Sequence, residues 1–122
     1  MSGQRSRLLG QWGEAQAAEF LRQKGFRITS SRWKCRYGEL DLVAEDGDFL
    51  CFVEVKLRKN GSFGTPGEFV DRRKQEKLRT AALLYLSEHP TSLQPRFDVI
   101  EIYAPQGQNT QTPELYHWEN AF

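Results

Sequence analysis

From Arg5 to Gln23 the apolar positions fall at helical spacing, with Ala17, Ala18 and Leu21 on one stripe, and Gly25 follows as a stop, so the pattern predicts an amphipathic helix. Phe26 to Trp33 predicts a short strand with polar interruptions. Leu40 to Glu45 and Asp48 to Leu57 predict two more strands joined through Asp46-Gly47, a short-range hairpin signal. The stretch RKNGSFGTPGEF is rich in Gly and turn formers and predicts a mobile loop. A helical period then runs from about Glu68 to Glu88 and closes at His89-Pro90. Arg96 to Tyr103 alternates as a strand, APQGQNTQTP reads as a polar loop, and Glu114 to Trp118 as a last edge strand. The order αβββαββ predicts one α/β domain over residues 1–122, a mixed β-sheet flanked by helices.

One strand breaks its own pattern. Phe49 to Lys56, FLCFVEVK, is apolar except for Glu54 and Lys56. If Asp46 and Gly47 are the turn residues, Asp41 faces Phe52 and Glu39 faces Glu54, and directly opposed residues share a face. Asp41, Glu54 and Lys56 then project from one side, with Asp41 and Glu54 on a diagonal of about 7–8 Å. Cys51, Val53 and Val55 go to the opposite, core side. Holding two carboxylates and a lysine there is costly unless they are paired or bind a metal. An ion pair of Glu54 with Lys56, or with a basic residue across strands, is the ordinary outcome; an ion shared by the carboxylates is the other. Oxygen-only ligands suit Mg²⁺ or Mn²⁺.

Each helix adds one misplaced charge. Glu14 lies on the stripe of Ala17, Ala18 and Leu21 and faces inward, whereas Glu19 lies with Arg22 and Gln23 on the polar side. A basic neighbour or a backbone donor would satisfy Glu14 as an ordinary packed carboxylate; beside two acids it is also a third, direct or water-mediated, ligand. Lys74 falls between Val70 and Leu78 on a stripe that continues through Ala81 and Tyr85. Its stem can run along that stripe with the ammonium in water, and it is also a candidate phosphate contact.

At 122 residues and 14.1 kDa the chain has room for one core and one site, and none for a separate cofactor domain. Neither an apolar leader core in MSGQRSRLLGQWGEAQ nor a run of membrane-spanning length is found, so a cytoplasmic protein without a membrane partner is expected. Cys35 and Cys51 have no CxxC or histidine spacing and read as reduced thiols, with Cys51 in the core. Net charge is only +1, but the segment from Arg22 to Arg36 holds six basic residues and no acid, while four acids and no Lys or Arg follow Arg96. With Phe26, Trp33 and Tyr37 interleaved, the basic segment fits a nucleic-acid surface; equally, it fits a solvated face balanced by the acidic end.

Six ordered segments carry a family resemblance: GQWGEAQAAEFLRQKGF, RYGELDLVAED, FLCFVEVKLR, RKQEKLRTAA, RFDVIEIY and HWENAF. Together they resemble the YraN-type family of small predicted endonucleases, in the PD-(D/E)XK superfamily, similar to archaeal Holliday-junction resolvases. The resemblance implies a restriction-endonuclease-like fold and a Mg²⁺- or Mn²⁺-dependent endonuclease acting on nucleic acid, with branched or structured DNA as the expected substrate. It makes Asp41 and Glu54 the metal-binding carboxylates, Lys56 the residue beside the attacking water, and Glu14 the first-helix acid near the metal. Glu39 of GELD matches the pattern without a role. The backbone would be held by Arg32, Lys34, Arg36, Arg58, Arg73, Lys74 and Lys77 and by the loop from Arg58 to Gly67. Cutting a junction on both sides needs two active sites, which by analogy points to a homodimer. Two rivals remain: a non-catalytic nucleic-acid-binding module on the same fold, and a scaffold whose charges form only a structural ion network.

Overall fold

The computed structural model describes residues 2–59 and 70–122, with side chains from residue 7 onward. Helix α1 (Ser2–Gln23) begins before the predicted Arg5. It stops where Gly25 adopts φ 95°. The N–H of Gly25 donates to Arg22 O and that of Phe26 to Leu21 O, each at 3.0 Å. This Schellman pairing satisfies the last carbonyls and brings Phe26 onto Leu21 in the same core.

Strands β1 (Arg27–Cys35), β2 (Gly38–Asp46) and β3 (Phe49–Arg58) follow, then helix α2 (Arg72–Glu88), β4 (Gln94–Tyr103), a 3-10 turn at Gly107–Asn109, and β5 (Glu114–Trp118). The predicted order αβββαββ holds. One sheet in the order β1-β2-β3-β4-β5 contains them all. β3 and β4 are parallel across the α2 crossover, and the other pairs are antiparallel. No helix among the described residues is long and apolar enough to cross a membrane.

Being central, β3 is buried on both faces, which explains its near-continuous apolar run. Cys51 and Val53 pack with Ala17 and Leu21 of α1. Leu50 and Phe52 pack with Leu78, Ala81 and Tyr85 of α2. The expectation of a single core side is thereby corrected: each helix covers its own face of the sheet.

The hairpin turn is corrected too. Asp46 pairs with Phe49 and Leu42 with Val53, leaving Gly47 and Asp48 as the loop. Gly47 supplies φ 58°, as a two-residue hairpin requires. Asp46 stays in the strand, where Arg96 Nη2 lies 3.1 Å from its Oδ2. The shift is two residues, so by itself it moves no side chain to the other face. The same register carried one step past Leu42 sets Asp41 across from Glu54 instead of Phe52.

Helix α2 starts at Arg72, after the predicted Glu68, because Asp71 Oδ1 accepts the N–H of Lys74 at 2.9 Å. Glu68, Phe69 and the predicted loop from residue 60 onward lie outside the described residues. Asp71→Ala is expected to cost about 1 kcal/mol and Asp71→Ser only a fraction of that in urea unfolding. Equal losses in the two variants would show that the cap does not set the start of α2.

Candidate functional site

Strict alternation fails at one point in β2. Leu42 packs on the α1 side and Leu40 on the α2 side, although two residues apart in a strand should share a face. Across β1 the pairs Ser31–Leu42 and Trp33–Leu40 bracket Arg32 and Asp41. Arg32 adopts φ 48°, a left-handed conformation that is uncommon for a residue with a side chain and tends to mark functional positions. The β2–β3 ladder also ends here, at Leu42–Val53, and the N–H of Val55 donates to Asp41 Oδ2 at 2.9 Å. The kink lets carboxylates from two elements converge. Glu14 of α1 and Glu39 and Asp41 of β2 each present an oxygen, all within 4.8 Å of one another, and this group could hold a metal ion.

Burial comes first and charge crowding second in setting the protonation of this group. Burial, then the charge of Glu54, pushes Asp41 up to about 8 against the opposing bond from Val55. Burial pushes Glu14 up to about 7; Arg32 opposes this, while Glu39 and Glu54 add to it. Arg32 Nε lies 3.2 Å from Glu14 Oε1. Its direction is not that of a hydrogen bond, so the buried Oε1 has no donor. Glu54 stands beside Asp41 but outside the group of three, with its Oε1 3.0 Å from Lys74 Nζ. The ion pair that satisfies Glu54 thus comes from α2, not from Lys56. Lys56 is exposed and makes no ion pair or side-chain hydrogen bond among the described residues. The unbroken β3–β4 register puts it on the Glu54 side of the sheet.

All these positions fall inside residues 13–102, which match the model of the uncharacterised protein family UPF0102. The chain belongs to UPF0102. It is similar to the UPF0102 protein of Syntrophomonas wolfei, 44% identical over 96% of this chain and 99% of the relative. The UPF0102 protein of Nocardia farcinica is 44% identical over 93% of this chain and 88% of its own, and that of Symbiobacterium thermophilum 48% identical over 80% and 83%. The family match runs from within α1 to within β4.

In this UPF0102 chain the six basic residues from Arg22 to Arg36 do not form one patch. Arg22 contacts Glu19, Lys24 contacts Glu119, Arg27 contacts Glu45 and Arg32 contacts Glu14. Only Lys24 reaches the acidic C-terminal segment. Phe26 is in the core and Trp33 meets Tyr85 edge-on, so of the interleaved aromatics Tyr37 alone is offered to a ligand. Arg58 is likewise committed: its Nε lies 2.9 Å from Oε2 of the buried Glu101. A cation chosen by exposure alone would pass over such partners.

A cleft of about 310 Å³ opens over Glu39 and Asp41, with Lys74, Lys77 and Tyr37 at its sides. It continues into a groove lined by Arg36, Arg73 and Lys77. Arg36 lies over the Tyr37 ring, 4.9 Å from its centre. Of the seven cations predicted to meet a backbone, Arg36, Arg73, Lys74 and Lys77 line this path; Lys34 is exposed on β1, and Arg32 and Arg58 are turned to carboxylates. Glu39 is the site residue without an assigned role in the motif. Its spacing from Asp41 hinted at a shared face, but its approach to Glu14 depends on the kink.

Proposed function

We propose that this UPF0102 protein is a metal-dependent endonuclease of the PD-(D/E)XK type that hydrolyses phosphodiester bonds in DNA. The observation that carries the reading is the convergence of Glu14, Glu39 and Asp41 within 4.8 Å, with Glu39 and Asp41 lining a cleft that Lys74 and Lys77 also line and Glu14 approaching from the α1 side. A site of carboxylates only suits Mg²⁺ or Mn²⁺, and the buried, donorless Glu14 Oε1 leaves a lone pair for such an ion. Asp41, Glu54 and Glu14 would hold it, with Glu39 as a further oxygen. Bound there, Mg²⁺ supplies positive charge beside a phosphate and makes water more acidic.

The chain's own groups do the rest. Val55 N–H fixes the Asp41 carboxylate through Oδ2. Lys56 places the attacking water and offsets charge that builds on the phosphorus. Arg36, Arg73 and Lys77 hold the backbone in the groove, a contact that weakens as salt rises. Structured or branched DNA and a homodimer with two sites belong to this reading, as does action in the cytoplasm.

The test is a labelled panel of four-way junction, flap, nicked and linear DNA, with RNA counterparts, in Mg²⁺ or Mn²⁺. Cutting that needs metal and disappears in Glu54→Gln, with binding retained, is the expected result. The exposed Lys56, without an ion pair among the described residues, favours a second reading, a binding module without catalysis. Binding indifferent to Mg²⁺, no cutting on any substrate, and no effect of Glu54→Gln would establish it.

A further inference from the structure

Among the described residues, Lys74 is the cation that touches the carboxylates from the α2 side. Its Nζ sits 3.0 Å from Glu54 Oε1, with the lysine side chain 51% exposed and that of Glu54 only 11%. Arg32 approaches the same cluster through Glu14, on the α1 side. Four carboxyl groups, Glu14, Glu39, Asp41 and Glu54, thus share two contacting cations among the described residues. The position of Lys74 is set by the helix and not by the pair: Asp71 caps its backbone N–H. The ammonium hangs on a flexible stem at the wall of the cleft, next to Lys77.

Resting on the metal-dependent reading above, we infer that Lys74 is an exchangeable counter-ion, which holds Glu54 in the metal-free protein and transfers to a substrate phosphate when a divalent cation takes Glu54. Two features make the exchange easy. An ion pair with one half-exposed partner stabilises only weakly. A divalent ion beside Glu54 also repels the ammonium, and the nearest place for it is the cleft it already lines, where a phosphodiester brings one negative charge. Metal loading and substrate binding are thereby linked through a single side chain: each favours the state the other needs.

The experiment is Mn²⁺ binding to the nucleic-acid-free protein by calorimetry, in wild type, Lys74→Met, Glu54→Gln and the double variant. Circular dichroism confirms that each is folded. Lys74→Met is expected to tighten Mn²⁺ about fivefold when Glu54 is present and to change nothing in the Glu54→Gln background. A phosphorothioate oligonucleotide that resists cutting, offered with Mn²⁺, should bind Lys74→Met several-fold more weakly than wild type. Equal tightening in both backgrounds would make Lys74 a distant charge and overturn the inference; so would Mn²⁺ binding that weakens or stays the same in Lys74→Met, or oligonucleotide binding that is unchanged. If Mn²⁺ binds, the cycle closes as expected and no substrate is cut, the endonuclease reading fails while the exchange stands.

Discussion

Asp41→Asn is expected to abolish cleavage while making the metal-free protein more stable at pH 8. The two effects have one origin. Asparagine keeps an oxygen for the N–H of Val55, now at 2.9 Å from Asp41 Oδ2, so the kink has no reason to collapse. It removes the negative charge that would hold a cation, and with it several kcal/mol of transition-state stabilisation, a fall of about 10³-fold in rate. The stability effect follows from the sign of the shift. Asp41 is held at about 8 by burial and then by Glu54. A raised carboxyl contributes fully below its unfolded value near 3.8 and loses that contribution as pH rises through the folded one. Above pH 8 the folded protein carries a crowded carboxylate that the unfolded chain carries at no cost. Replacing it should recover about 1–2 kcal/mol, after discounting for its coupling to Glu54, and raise Tm by several degrees at pH 8 to 9. Near pH 4 the wild-type advantage of protonation returns and the two melting curves should meet. A variant less stable than wild type at pH 9 would mean that Asp41 is a structural partner, and the crowding account would fail.

The outlines of this fold were legible because local chemistry and tertiary packing agree. Gly25 ends α1 by the same left-handed geometry that makes glycine a stop signal, and the edge strand expected from Glu114 to Trp118 has the bounds of β5. The Asp46-Gly47 signal placed the hairpin but not its register, since Gly47 can serve as the first or second loop residue. In the observed register Asp46 stays in the strand, in contact with Arg96, which is distant in sequence. Faces survived that error, because a two-residue slip preserves parity.

The candidate site was legible in its members and not in its assembly. Asp41 and Glu54 do meet, as alternation requires. Glu14 and Glu39 join through a break in alternation whose visible mark is φ 48° at Arg32, and no residue type announces a left-handed arginine. The basic segment misled for a related reason. Charge along a sequence says nothing of which acids the fold sets beside it, and four of those six side chains are already answered. Cations from α2, far along the chain, line the cleft in their place.

The largest loss of stability is expected from Asp98→Ala, at about 3–5 kcal/mol. Asp98 is fully buried and its carboxylate accepts four hydrogen bonds: Arg96 Nε and Nη2 at 2.9 Å each, His117 Nε2 at 2.8 Å, and the N–H of Asn120 at 3.0 Å. One side chain thus ties β4 to β5 and to the C-terminal residues. Through Arg96 it reaches Asp46 at the end of β2, and through His117 it reaches Lys24 just after α1, 2.7 Å from Nδ1. Burial alone would raise its pKa, but the donors from His117, Arg96 and Asn120 outweigh that and lower it. Its contribution is therefore present above the ordinary carboxylate range near pH 4 and is lost as pH falls through the lowered value. Alanine leaves the guanidinium of the buried Arg96, near the rings of Phe26 and Phe49, with the part-exposed Asp46 as its one acidic partner among the described residues. An uncompensated buried charge of this kind costs more than the pair itself contributes. The double variant Arg96→Met/Asp98→Leu should for that reason be more stable than Asp98→Ala alone, because it removes both charges and keeps the volume. Urea unfolding at pH 7 measures both. A loss below 1 kcal/mol in Asp98→Ala, or a double variant weaker than the single, would mean that packing and not this carboxylate holds β4, β5 and the C-terminal residues together.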